Sequence, residues 1–180
     1  IMNKLPELLS PAGSFEALKA AIDGGADAIY MGGASFNARI NAENFGQESM
    51  GEAIRLAHAY GVKLYQTVNT MIFDREREDF LRMAESSARL GIDAFIVSDL
   101  GAAALLHEYL PEIPLHASTQ MSIHNADGAR LLEKFGSTRV VPARELSRED
   151  IACMVKNTSL EIEMFIHGAL CVSHSGQCLF

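Results

Sequence analysis

The stretch EMFIHGALCVSHSGQCLF, Glu163 to Phe180, gathers two of the chain's three cysteines and two of its six histidines. Their spacing, His167-x3-Cys171-x2-His174-x3-Cys178, leaves four chemistries open. A Cys2His2 set suits zinc, although structural zinc sites usually bring two separated ligand pairs rather than one short run. A disulfide between Cys171 and Cys178 needs an oxidising compartment. A cysteine nucleophile with a histidine base is conceivable, because Gly168 and Gly176 leave the backbone open. An iron–sulfur cluster wants four thiolates, and the motif offers two. The third cysteine, Cys153, lies in the apolar run Ile151-Ala152-Cys153-Met154 and reads as a buried structural thiol.

Just upstream, Glu163 alternates with Phe165 and His167, so in a strand the three share one face. If that face points inward, the acid and the imidazole form either a catalytic proton-transfer pair or a satisfied core ion pair. Other groups that can hold a polar ligand are spread along the chain. Arg39 offers a bidentate fork for a carboxylate or phosphate. Asn37 shares its loop, and Asn69, Gln120 and Arg144 complete the expected substrate-binding set. Ser10, Tyr30, Asp99, His116, Ser118 and Glu145 are further candidates of the same kind. Any one of them is equally explained as a polar residue meeting water at a strand end.

These residues need elements to position them. Short apolar runs at Glu7–Ser10, Asp27–Met31, Lys63–Val68, Asp93–Val97, Leu115–Ala117, Thr138–Val141 and Glu161–Ile166 read as seven strands. Helical patterns fill the intervals, opened by residues such as Ser14 and Ser147 and closed by Gly24-Gly25, Gly61, Gly91 and Gly136. Strand starts roughly 20 to 36 residues apart, with a helix in each interval, imply a parallel sheet. GGADAIYMGG and LGIDAFIVSD resemble one another, and such repetition favours a (β/α)8 TIM-like barrel over a doubly wound sheet. A closed barrel needs eight strands, so residues 1–180 are expected to form a single incomplete barrel domain. In such a barrel the polar candidates fall on the carboxyl face, where the active site sits. Glu76-Arg77-Glu78-Asp79 reads as a solvated helix face, and Met2, Met31, Met71, Met83 and Met121 as core filling.

The chain's 180 residues are enough for one real core. A formal net charge of −8 argues against a generally basic nucleic-acid surface, while leaving room for a local basic patch. No apolar run is long enough to span a membrane, and no signal peptide is visible. Three cysteines without a disulfide-rich pattern fit a reducing cytoplasm. There is no HExxH, no GxSxG and no recognisable hydrolytic triad.

The closing motif, Glu163-Met-Phe165-Ile-His167-Gly168-Ala-Leu-Cys171 followed after four residues by Gly176-Gln-Cys178, is similar to the signature of the collagenase-like peptidase family U32. ELLSPAGSFEALKAAIDGGADAIYMGG resembles the family's amino-terminal block, the Asn37–Asn44 segment its next loop, and HASTQMSIHN and ARELS its middle blocks. His174 stands where an aromatic residue is more usual. The family signature runs on to a serine, so the chain is expected to stop inside it.

The resemblance implies a (β/α)-barrel amino-terminal region and two histories of function. Some members are named peptidases of unassigned catalytic type, with collagenase activity. Others are oxygen-independent hydroxylation proteins that modify a tRNA wobble uridine, an rRNA cytidine or the ubiquinone ring. In these, an iron–sulfur cluster (4Fe–4S) rests on four cysteines, the first two placed like Cys171 and Cys178. The RNA-modifying members take the hydroxyl group from prephenate, an anionic donor whose carboxylate Arg39 would suit. The expectation is therefore an RNA hydroxylation enzyme, with a collagenase-like endopeptidase or a non-catalytic scaffold as alternatives. Two thiolates hold no stable four-iron cluster, so this stretch alone is expected to be metal-free or to carry adventitious metal. An open barrel edge invites pairing with a second copy.

Overall fold

Strands form where β-branched and aromatic residues run together, and helices start where a small polar side chain meets the first turn's free N–H groups. In the computed structural model, which describes residues 5–38, 45–168 and 171–178, the strands are β1 (Leu9–Pro11), β2 (Ala28–Gly32), β3 (Lys63–Val68), β4 (Ala94–Val97), β5 (Leu115–Ala117), β6 (Ser137–Val140) and β7 (Glu161–Ile162). The helices between them are α1 (Phe15–Asp23), α2 (Gln47–Ala59), α3 (Arg77–Leu90), α4 (Leu100–Tyr109), α5 (Ala126–Glu133) and α6 (Arg148–Asn157). Ser14, Asp99, Asn125 and Ser147 cap α1, α4, α5 and α6 through their side chains. Asp150 returns the bond to Ser147 to complete a capping box.

All seven strands are parallel and lie in sequence order, β1 to β7. Each therefore pairs with its predecessor in the chain, as in a (β/α) barrel, and the sheet curls into an open half-barrel. Its convex side carries Ile29, Met31, Leu64, Val68, Phe95, Val97 and Leu115 against the helices. Ala117 and Val140 continue this layer against Ala129, Leu132 and Met154 of α5 and α6. Alternate residues face the concave side: Ala28, Tyr65, Ala94 and Ile96 pack there with Leu9 and Tyr30.

Three expectations are corrected. β7 keeps its ladder for two residues only, and Met164, Phe165 and Ile166 are exposed. Cys153 is exposed as well, because helix periodicity turns Met154 into the core and swings Cys153 outward. Met71 is also exposed, beyond the end of β3. Among the described residues, no helix is long and apolar enough to cross a membrane.

Candidate functional site

The concave side of the half-barrel is not uniformly apolar. Ile96, His116, Arg139 and Glu161 sit side by side across β4 to β7, by register. An arginine in the middle of a buried strand must find counter-charges. Arg139 donates to Glu161 at 2.6 Å and 2.9 Å, to Glu7 at 2.8 Å and to Glu163 at 3.4 Å. Glu7 also accepts from Lys63 at 2.9 Å and from the Tyr65 hydroxyl at 2.8 Å. Since Glu7 precedes β1 and Arg139 lies on β6, this ion pair spans the open side of the sheet. Burial pushes Glu7 upward, but hydrogen bonds from Arg139, Lys63 and Tyr65 outweigh it and bring its pKa to about 2.

His116 stands against this cluster, with its ring edge-on to Tyr65 at 4.6 Å. It is buried, its Nδ1 has no hydrogen-bond partner, and burial with the nearby Arg139 charge depresses its pKa to about 3. The imidazole is therefore neutral at physiological pH. Glu163 behaves in the opposite sense: burial raises its carboxyl above the usual range despite the attraction of Arg139. The expected pairing of Glu163 with His167 is not seen. Glu163 turns inward to Arg139, while His167 and Phe165 are exposed beyond the end of β7.

The second assembly lies at the carboxyl ends of β5 and β6. Ser175 is 1% exposed in a loop whose Val172 is 98% exposed. The Ser175 hydroxyl accepts from the Arg144 backbone N–H at 3.0 Å and from Arg144 Nε at 3.1 Å. The Ser175 N–H donates to Glu145 Oε1 at 2.7 Å, and its carbonyl accepts from Ser122 Oγ at 2.6 Å. Arg144 Nη2 reaches the Ser173 carbonyl at 3.0 Å. The cysteine-bearing loop is thereby fastened to the barrel. A shallow cleft of about 250 Å³ opens here, lined by Arg144, Glu145, Cys171, Val172, Ser173 and His174.

In this loop the Cys171 thiol is held below its usual pKa by the Ser173 backbone N–H, with hydrogen bonds from Cys178 and Arg144 adding to the effect. Both cysteines lie in the segment 171–178 that Ser175 fastens to the barrel. Among the described residues, no three His, Cys, Asp or Glu side chains converge on a metal-sized point. His167, Cys171, His174 and Cys178 therefore do not assemble the zinc set that their spacing allows. As donors, two neighbouring thiols fit half of an iron–sulfur ligand set.

The remaining candidates divide. Asn37 is buried and donates to the Gly33 carbonyl, while Asn69 Oδ1 accepts from the Ala38 N–H at 3.0 Å, so both shape the loop after β2. Gln120 is half-buried beside Ser118 at the end of β5. Arg144 is committed to the cysteine loop. Arg39 lies outside the described residues. Asp99 uses both carboxylate oxygens internally, capping α4 and accepting from the Ile72 N–H. The Arg139 cluster and the Ser175 anchor were not singled out from sequence. An arginine inside the short strand STRV was the available signal for the first. The second had none, since its partners come from separate loops.

The sequence pattern of peptidase family U32 matches residues 13–180. A 23S rRNA 5-hydroxycytidine synthase of Escherichia coli is 44% identical over 172 residues, which cover 96% of this chain and 26% of that protein. The tRNA hydroxylation protein P of Escherichia coli is 39% identical over 176 residues, covering 97% of this chain and 39% of the relative. A collagenase of Porphyromonas gingivalis is 36% identical over 184 residues, covering 96% of this chain and 44% of the relative. The chain thus spans less than half the length of each. A solved U32 peptidase superposes with a TM-score of 0.74 over 91% of this chain and 70% of that one, at 12% identity. That likeness shows the barrel-type fold alone.

Proposed function

The chain belongs to peptidase family U32, and from that premise we propose that it forms the barrel portion of an oxygen-independent RNA hydroxylation protein, with Cys171 and Cys178 as two of the four thiolates of a 4Fe–4S cluster. The observation that carries this reading is the loop bearing both cysteines, fastened through Ser175 at the carboxyl end of the sheet, the face on which barrel active sites lie. The names of the relatives, a 23S rRNA 5-hydroxycytidine synthase and a tRNA hydroxylation protein, support the substrate class, an rRNA cytidine or a tRNA base, which we take to be the wobble uridine.

When bound, such a cluster supplies one-electron and Lewis-acid chemistry. The chain's own residues would do the rest. Arg144 and Glu145 hold the cysteine loop in place. Glu163, whose carboxyl burial favours the protonated form, is the group suited to keep a proton within the concave face. His167, beyond the end of β7, would serve as a second proton carrier. Asn37, Asn69 and Gln120 lie in the connections after β2, β3 and β5, and together with Arg39 would hold an anionic, prephenate-like donor. Free thiols of this kind suit a reducing, cytoplasmic compartment. Among the described residues β1 and β7 each pair on one side, so association of two copies through these edges belongs to the same reading.

A second reading rests on the Porphyromonas gingivalis relative named as a collagenase. Anaerobic reconstitution of the intact protein with iron and sulfide separates the two. We expect bound iron, visible charge-transfer absorbance and a hydroxylated nucleoside by mass spectrometry of incubated RNA, all lost in Cys171→Ser and Cys178→Ser. Sustained peptide cleavage that survives an iron chelator, with no bound iron, would overturn the proposal.

A further inference from the structure

The loop that carries the two cysteines is tied down at one point. Ser175 is fully buried while Cys171, Val172, His174, Gln177 and Cys178 around it are exposed. Four of its hydrogen bonds come from two different β–α connections, Ser122 after β5 and Arg144 with Glu145 after β6. Buried polar groups satisfied this completely fix one conformation.

Two backbone features show that the fit is tight. Gly176 is left-handed, with φ +77°, and a Cβ there would collide with Ser122 Oγ and the Gln120 carbonyl oxygen. Ser122 is itself left-handed, with φ 56°, although it is not a glycine. Such a residue persists only where its surroundings over-determine it, and here its hydroxyl is bonded to the Ser175 carbonyl. The strain is thus spent where the cysteine loop meets the barrel.

We propose that Ser175, Ser122 and Glu145 are positioning residues that pre-shape segment 171–178, so that the thiols of Cys171 and Cys178 face one another before any metal arrives. The assignment of a role to this geometry rests on the cluster reading above. The geometry itself is tested without iron. The apo protein is equilibrated with reduced and oxidised glutathione. One thiolate attacks oxidised glutathione and releases one reduced glutathione; the second thiol then displaces the other and closes the Cys171–Cys178 disulfide. Mass spectrometry of the digest gives the ratio of closed pair to mixed disulfide, which, multiplied by the reduced glutathione concentration, is the effective concentration of one thiol at the other.

In the parent protein the closed pair should dominate. Ser175→Ala and Glu145→Ala should each lower the effective concentration at least tenfold, whereas Glu145→Gln, which keeps an acceptor oxygen, should recover most of it. Cys153, exposed on α6, serves as the internal control and should form mixed disulfide equally in all variants. Ser122→Ala removes a single hydroxyl and replaces Ser175→Ala if the latter does not fold, judged by far-ultraviolet circular dichroism. An unchanged ratio in folded variants overturns the inference and leaves the cluster proposal standing. A lowered ratio in protein that binds no iron on reconstitution does the reverse.

Discussion

His116 shows what one residue contributes. It is buried beside a cation and stays neutral, with its pKa depressed from 6.5 to about 3. The unfolded chain takes up a proton below about 6.5 that the folded chain refuses. Stability is therefore complete above that pH and is lost as the pH falls toward about 3, with a slope of up to about 1.4 kcal/mol per pH unit. Glu7 adds a second window: its pKa is depressed from 4.5 to about 2, so its contribution is present above about 4.5 and lost as the pH falls through about 2. Glu163, raised by burial, works in the opposite direction. Urea midpoints between pH 7 and pH 5 should fall for the parent protein, and His116→Phe should flatten that fall. An equal slope in both proteins would remove His116 from the account. Residues such as Arg139 and Ser175 were hard to find in the sequence because their partners are distant: Glu7 is 132 residues from Arg139, and Glu145 is 30 from Ser175.

At the level of elements the sequence was far more readable. β3 and β5 run over the expected residues, because buried parallel strands are continuous apolar runs bounded by turn residues. The misreadings have local causes. The apolar look of Ile151 to Met154 concealed a 3.6-residue period that buries only Met154. The apolar run from Met164 to Ile166 looked like strand, but after Ile162 no neighbour continues the ladder. Asp99 looked like a ligand-binding acid and is a structural one. Its Oδ1 caps α4 through the Gly101 and Ala102 N–H groups, and its Oδ2 accepts from the Ile72 N–H at 3.0 Å. Asp99→Ala should cost about 2 kcal/mol, roughly half from the lost cap and half from the orphaned Ile72 N–H. Denaturant unfolding measures the cost directly. A change below about 0.5 kcal/mol would mean that neither oxygen matters.

Across the whole molecule, Arg139 joins β7 to the segment that leads into β1. Removing it leaves Glu163 partly buried without a cation and Glu7 with Lys63 alone, while Glu161 can turn to water. Arg139→Met should therefore destabilise by about 3 kcal/mol, at the low end of the range for broken buried ion pairs. Adding Glu7→Gln to the same chain should recover part of the loss, as read from thermal melting. A double variant no more stable than the single one would show that Glu7 is not the stranded charge. The strand order has a further consequence. Because β1 to β7 are laid down in sequence, each strand–helix unit leaving the ribosome finds its docking edge already made. Glu7 has to wait for its arginine, which is synthesised 132 residues later. The ion pair across the concave side therefore closes only after β6 has been made.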